Sequence, residues 1–142
     1  MAKAIIIYHT RSGNTKSLAE KIKDRLEHLN VEIKIYQDIN FKEIDSIKEF
    51  DIIGLGSPTH YYQIAKIFKE LLQKINSFNL KGKKLIVFAT GTAKSSPPKI
   101  CSDIVKLMKP TGIQTIAKIG CVKKPTDDID SEIEKRLSEE IF

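Results

Sequence analysis

Cysteine is scarce in this chain, two in 142 residues, and tryptophan is absent. Cys101 and Cys121 have no CxxC spacing and are too few for a disulfide framework. Cys101 falls within a helical pattern and Cys121 near a strand end, so both are expected to be buried or half-buried thiols. His9, His28 and His60 are scattered, which leaves no metal-ligating cluster. No apolar run approaches the roughly 20 residues of a membrane span, and the segment after Lys3 does not read as a signal peptide. The cytoplasm is therefore the expected location. Repeats, low-complexity tracts and linkers are also missing, and one domain over 1–142 is expected.

What is plentiful is lysine. Lysine and arginine number 24 against 18 acids, a net charge of +6, and the excess is unevenly placed. Residues 127–142 hold seven acids (Asp127, Asp128, Asp130, Glu132, Glu134, Glu139, Glu140) against Lys135 and Arg136, a local −5 that leaves the preceding chain at +11. Between Lys81 and Lys124 ten lysines face only Asp103. Such a field attracts anionic partners. The lysines are spread singly and no aromatic is interleaved with them, so nucleic acid is not indicated. Ordinary solvated surface and an acidic protein partner both remain open.

Strand and helix patterns alternate along the chain. Ile5–Tyr8 is a continuous apolar run of the kind buried on both faces of a parallel sheet. Leu18, Ile22, Leu26 and Leu29 recur at helical spacing and predict a helix over 14–30. Val31–Tyr36 alternates as an edge strand does, and Asp51–Gly56 predicts a third strand. Ile64, Ile67, Phe68, Leu71, Leu72 and Ile75 form a helical stripe. Leu85–Ala89 and Ile113–Gly120 predict the remaining strands. Ser95-Ser96-Pro97-Pro98 marks a helix start with caps before prolines. A last helix beginning at Asp127/Asp128 carries Ile129, Ile133, Leu137 and Ile141.

Five βα units predict an α/β fold with a five-stranded parallel sheet covered on both faces. Such sheets most often take the order 2-1-3-4-5, with ligands at the carboxyl ends near the switch point between strands 1 and 3. The loops at that edge are Thr10–Thr15, Ser57–Tyr62 and Thr90–Ser95, and these are the loops of unusual composition. In the first, Thr10, Ser12 and Thr15 join Gly13 and Asn14 at a helix N-terminus, where backbone N–H groups and the macrodipole favour an anion. A helix cap alone needs one hydroxyl, and this turn offers three plus Asn14.

Thr10-Arg11-Ser12-Gly13-Asn14-Thr15 resembles the phosphate loop of short-chain flavodoxins, and the resemblance runs over the whole chain. Gly56-Ser57-Pro58-Thr59-His60-Tyr61-Tyr62 is similar to that family's second flavin loop, and Ala89-Thr90-Gly91-Thr92-Ala93 to the start of its third. The resemblance implies a flavodoxin-like three-layer sandwich that binds FMN. Thr10, Arg11, Ser12, Gly13, Asn14 and Thr15 would meet the phosphate. Ser57, Pro58, Thr59, His60, Tyr61 and Tyr62 would line one side of the ring, and Thr90, Gly91 and Thr92 the other. A flat, electron-poor ring needs such an aromatic wall and a few backbone donors. The implied role is electron transfer between redox partners, such as an acidic ferredoxin or a flavodoxin reductase, by a monomer or weak dimer without a catalytic residue of its own. An acidic ferredoxin would suit the basic rim at Lys94 and Lys99.

Departures from the family's pattern keep two further readings open. After Thr59 the second loop lacks the glycine whose peptide reorients when the flavin takes one electron, which leaves an FMN-dependent quinone-type oxidoreductase as the alternative. A flavin-free accessory role is the other. Lys94 stands where relatives are often acidic, and a basic rim is expected to raise the reduction potential. Arg11 either reinforces the phosphate or points into solvent. Gly54-Leu55-Gly56-Ser57-Pro58-Thr59 lacks the third glycine of a dinucleotide fingerprint, no Walker A sequence occurs, and the strand ends lack the acids of a phosphoacceptor receiver.

Overall fold

Alternate residues of the central strands face opposite layers, and that alternation builds two cores. The computed structural model describes residues 2–40 and 42–138. In chain order the elements are β1 (Lys3–Tyr8), α1 (Asn14–His28), β2 (Glu32–Gln37), a 3-10 helix (Ile44–Glu49), β3 (Ile52–His60) and β4 (Gln63–Ile64). They continue with α2 (Lys66–Ile75), β5 (Lys84–Gly91), α3 (Ser96–Met108), β6 (Gln114–Val122) and α4 (Asp128–Arg136). Ile5, Ile7, Ile53, Leu55, Leu85 and Val87 pack under α2 and α3. Ala4, Ile6, Ile52, Ile86, Phe88 and Ile119 pack under α1 and α4. Each large side chain buried this way stabilises the fold by about 1.5–3 kcal/mol.

The strand order is β2-β1-β3-β5-β6, all parallel, with the two-residue β4 antiparallel to β3. With β4 set aside this is the predicted 2-1-3-4-5 arrangement. Gly56 allows the sheet to pack tightly: a Cβ there would fall inside the Phe88 ring. The helix α1 closes two residues earlier than the periodicity predicts. Asn30 turns left-handed at φ 63° and Val31 N–H bonds the Leu26 carbonyl, which ends the helix.

Three expectations need correction. Ile64 belongs to β4, not to the helical stripe, and Ile67 lies on the outer side of α2, 59% exposed. The buried stripe is Phe68, Leu71, Leu72 and Ile75, and Ile67, one turn before Leu71, lies at its exposed margin. Ser95 makes no capping bond. Pro97 and Pro98 instead suit the first turn of α3 because no N–H is needed there. The 3-10 helix was not foreshadowed, since Ile44 and Ile47 alone give no periodicity; both are buried beneath the β2–β3 crossover. Leu137 is buried just past α4, while Ile141, Glu139 and Glu140 lie outside the described residues.

Both thiols are buried, as expected. Burial pushes Cys101 up to about 12 from 9.0, with its S–H directed at the Ile119 carbonyl 3.6 Å away. Between those pH values the unfolded chain releases the thiol proton and the folded chain keeps it, so stability falls as pH rises. The slope is up to about 1.4 kcal/mol per pH unit. Urea denaturation of the wild type and Cys101→Ala from pH 8 to 11 is expected to show the wild type losing stability relative to the variant. A difference independent of pH would contradict this account of the thiol.

Candidate functional site

The carboxyl ends of β1, β3 and β5 lie side by side, which brings the three unusual loops to one edge of the sheet. The first loop ends at Gly13, the residue before α1, held at φ 93° and ψ −5°. A side chain there would be strained by roughly 1–2 kcal/mol, although a Cβ would meet nothing within 4 Å. Glycine is required by the turn and not by crowding. Thr10 Oγ1 accepts the Gly13 N–H at 3.0 Å and closes the loop.

The start of α1 has no side-chain cap and no acidic residue in its first turn. Ser17 N–H and its hydroxyl both bond the Gly13 carbonyl, at 3.0 and 3.1 Å. The Ser12 and Asn14 side chains make no hydrogen bond among the described residues, and Ser12 is exposed. The hydroxyls that could have capped the helix are therefore not spent on it. An uncapped N-terminus with open space above its left-handed glycine, flanked by unengaged donors, fits the oxygens of an anion.

The second loop is mostly strand. Ser57 and Pro58 continue β3 beside Ala89 and Thr90, and Thr59 and His60 pair with Ile64 and Gln63. The hairpin is closed by two residues, Tyr61 and Tyr62, at φ 51° and 62°. Both central positions of so short a turn need positive φ, a role usually filled by Asn-Gly. The tyrosines are 86% and 66% exposed, and Tyr61 stacks on His60 with centroids 4.7 Å apart. Ser57 is fully buried and its hydroxyl is engaged with the Pro58 carbonyl and the Ala65 N–H, at 2.8 and 3.2 Å. It holds the hairpin to the start of α2 and does not face the open edge.

The third loop begins inside β5. Thr90 is buried and its hydroxyl pairs with that of Thr15 at 2.8 Å, while its carbonyl accepts the Thr59 hydroxyl at 2.9 Å. Gly91 allows this contact, since a Cβ there would stand 2.8 Å from Thr59 Oγ1 and 2.9 Å from Ser96 Cβ. Thr92 is exposed beyond the strand. Arg11 joins the first loop to the hairpin: its guanidinium lies 2.8 Å from His60 Nε2. A guanidinium cannot accept, so Nε2 accepts and the His60 proton is on Nδ1.

Two residues not foreseen from the sequence complete the edge. His9 bonds Asp38 at 2.7 Å through Nδ1, and its backbone N–H bonds the Gly56 carbonyl at 3.1 Å. Lys123, at φ 59°, donates its N–H to the Gly91 carbonyl at 2.7 Å. Neither carries a local sequence signal, because both depend on pairings across the sheet. At the end of β1, burial, then Glu20 and Asp38, push the Tyr8 phenol above its ordinary range.

The Thr15–Thr90 pair makes a stability test. Thr15→Val or Thr90→Val alone strands a buried hydroxyl and is expected to cost about 1–3 kcal/mol, while the double variant recovers most of that loss. Denaturant melts of the four proteins check it, and additive losses would contradict the pairing.

Residues 5–125 match the flavodoxin domain family. The flavodoxin of Maridesulfovibrio salexigens is 29% identical over 96 residues, 64% of this chain and 64% of that protein. Probable flavodoxin 1 of Bacillus subtilis is 31% identical over 109 residues, 73% of this chain and 65% of the relative. The matches thus span just under two thirds of these relatives' lengths. A solved flavodoxin from the domain Archaea superposes with a TM-score of 0.84 at 30% identity, covering 98% of this chain and 95% of the other. With the parallel sheet, the uncapped α1 and a family match over residues 5–125, the chain belongs to the flavodoxin family.

Proposed function

We propose that this protein binds FMN and carries electrons between redox proteins. The observation that supports this reading most is the start of α1, left without a side-chain cap and flanked by Ser12 and Asn14, whose side chains are unengaged among the described residues. Backbone N–H groups of the first turn, that of Thr15 among them, with the side chains of Thr10, Ser12 and Asn14, would hold the phosphate, while the Thr15 hydroxyl stays paired with Thr90. Each charge-assisted bond is worth about 1.5–3 kcal/mol, so several suffice without a lysine. Thr59, His60, Tyr61 and Tyr62 would wall one side of the ring, and Thr90, Gly91 and Thr92 the other. Bound FMN supplies the redox-active ring that accepts and releases electrons.

The chain's own residues then have separate tasks. Ser57 and Thr59 fix the hairpin, at the Ala65 N–H and the Thr90 carbonyl. Arg11 sets the orientation of His60, and His60 in turn stacks on Tyr61. Partners on this reading are redox proteins, an acidic ferredoxin suiting the rim at Lys94 and Lys99, both exposed. No helix among the described residues is long and apolar enough to cross a membrane, and the working location on this reading is the cytoplasm.

The experiment is an anaerobic stepwise reduction of the FMN-loaded protein followed by absorbance. Two resolved one-electron stages are expected for a carrier. A single two-electron stage would replace the carrier with the oxidoreductase alternative, which the Tyr61-Tyr62 turn, lacking glycine, would then explain.

A further inference from the structure

The two helix layers differ sharply in charge. Layer α2–α3, with the turn at Lys109 that follows it, carries Lys66, Lys69, Lys74, Lys99, Lys106 and Lys109 against only Glu70 and Asp103. All six lysines are exposed. Of them only Lys99 forms an ion pair among the described residues, with Asp103 at 2.8 Å. Layer α1–α4 is nearly balanced, with six basic side chains and seven acids. Its cations Lys21, Lys23 and Arg136 are engaged with Asp130, Glu27 and Glu132. The molecule is therefore a dipole across its sheet, basic on one side only.

The exposed apolar residues sit on that same side. Tyr61 and Tyr62 form the hairpin tip, and Ile67, 59% exposed, lies at the second position of α2 on its flank toward His9 and Arg11. On the other flank of α2, between it, the hairpin and α3, runs a groove of about 350 Å³ lined by Ile64, Leu107, Lys69, Lys99 and Lys106, with Asp103 its one acid. The two tyrosines are not explained by stability. They occupy left-handed backbone that bulky residues avoid, and most of their surface faces solvent. Exposed aromatic and aliphatic groups beside a lysine-lined groove have the composition of a protein-binding surface: the apolar groups supply affinity and the charges supply rate and orientation.

We infer that the α2–α3 face, capped by the Tyr61–Tyr62 tip, is the docking surface for an acidic redox protein, which approaches from that side and not from the α1–α4 side. The inference rests on the electron-carrier reading and adds to it a direction of approach and a footprint. The tip that would wall the ring is also the point where the partner would meet it. A nucleic acid or an anionic bilayer would also match the lysines, and duplex and vesicle controls separate these from a protein partner.

The test uses an acidic [2Fe–2S] ferredoxin as the probe. With the isotope-labelled chain, before and after FMN loading, amide shifts at low ionic strength are expected in α2, α3 and the hairpin. The triple variant Lys69→Glu, Lys99→Glu, Lys106→Glu is expected to slow electron transfer from the ferredoxin about tenfold or more and to flatten its salt dependence. The control triple Lys21→Glu, Lys23→Glu, Lys135→Glu, confined to α1 and α4, has the same net charge change and is expected to stay within about threefold. Ile67→Ser is expected to weaken binding several-fold while leaving the salt dependence in place. No footprint, a footprint on α1 and α4, or equal losses in both triples would overturn the inference. So would equal affinity for a short DNA duplex or anionic vesicles with Ile67→Ser without effect. FMN occupancy is read separately by absorbance, so a protein that binds FMN yet shows no footprint sinks the docking surface alone.

Discussion

Thr90 joins residues that lie 31 and 75 positions away in the chain, Thr59 and Thr15, through its carbonyl and its hydroxyl. Each of the three belongs to a different loop, and the rest of the edge is organised around that junction. The hydroxyl pair is buried, so losing one partner would strand the other in a place water does not reach. Gly91 and Ser96 pack directly against the contact, and Arg11 and His60 close the remaining gap between the first loop and the hairpin. A cradle held this way is in position before any ligand arrives. Little ordering entropy is then charged against binding.

The architecture was legible because the strands are apolar on both faces and the helices are amphipathic. Ile5–Tyr8 and Leu85–Ala89 are buried as read, and the first loop sits at the start of α1 as its composition implied. The hairpin was not legible. A two-residue turn is usually signalled by Asn or Gly, and Tyr61-Tyr62 gives the opposite signal. That masked β4 and assigned Ile64 to a helix that begins after it, with Ile67 at the exposed margin of its stripe. The Ser57 and Thr90 hydroxyls were equally opaque, since their partners, Ala65, Thr15 and Thr59, are fixed by the hairpin and by sheet register.

Charge shows the same division between composition and placement. The lysine excess is plain in the sequence, yet its densest stretch, Lys81 to Lys124, is divided among α3, the strands β5 and β6 and the loops at both ends of the sheet. The basic face forms only when α2, which lies outside that stretch, packs beside α3. The two sides of the molecule thus separate two tasks. On the reading proposed here, the loop edge would present donors to a small anionic ligand, and the α2–α3 side would present lysines and exposed aromatics to a protein. Both tasks converge on the hairpin, which is also where the backbone departs furthest from what its residues prefer.

The central claim is that the start of α1 recognises a phosphate monoester. Calorimetric titration of the flavin-free protein with FMN and, in parallel, with riboflavin isolates that contribution, because the two ligands share the ring and differ by the phosphate. Loss of two or more charge-assisted bonds corresponds to at least about 3 kcal/mol, so riboflavin is predicted to bind a hundredfold or more weaker than FMN. Equal affinities, or no heat with FMN at saturation, would contradict the account.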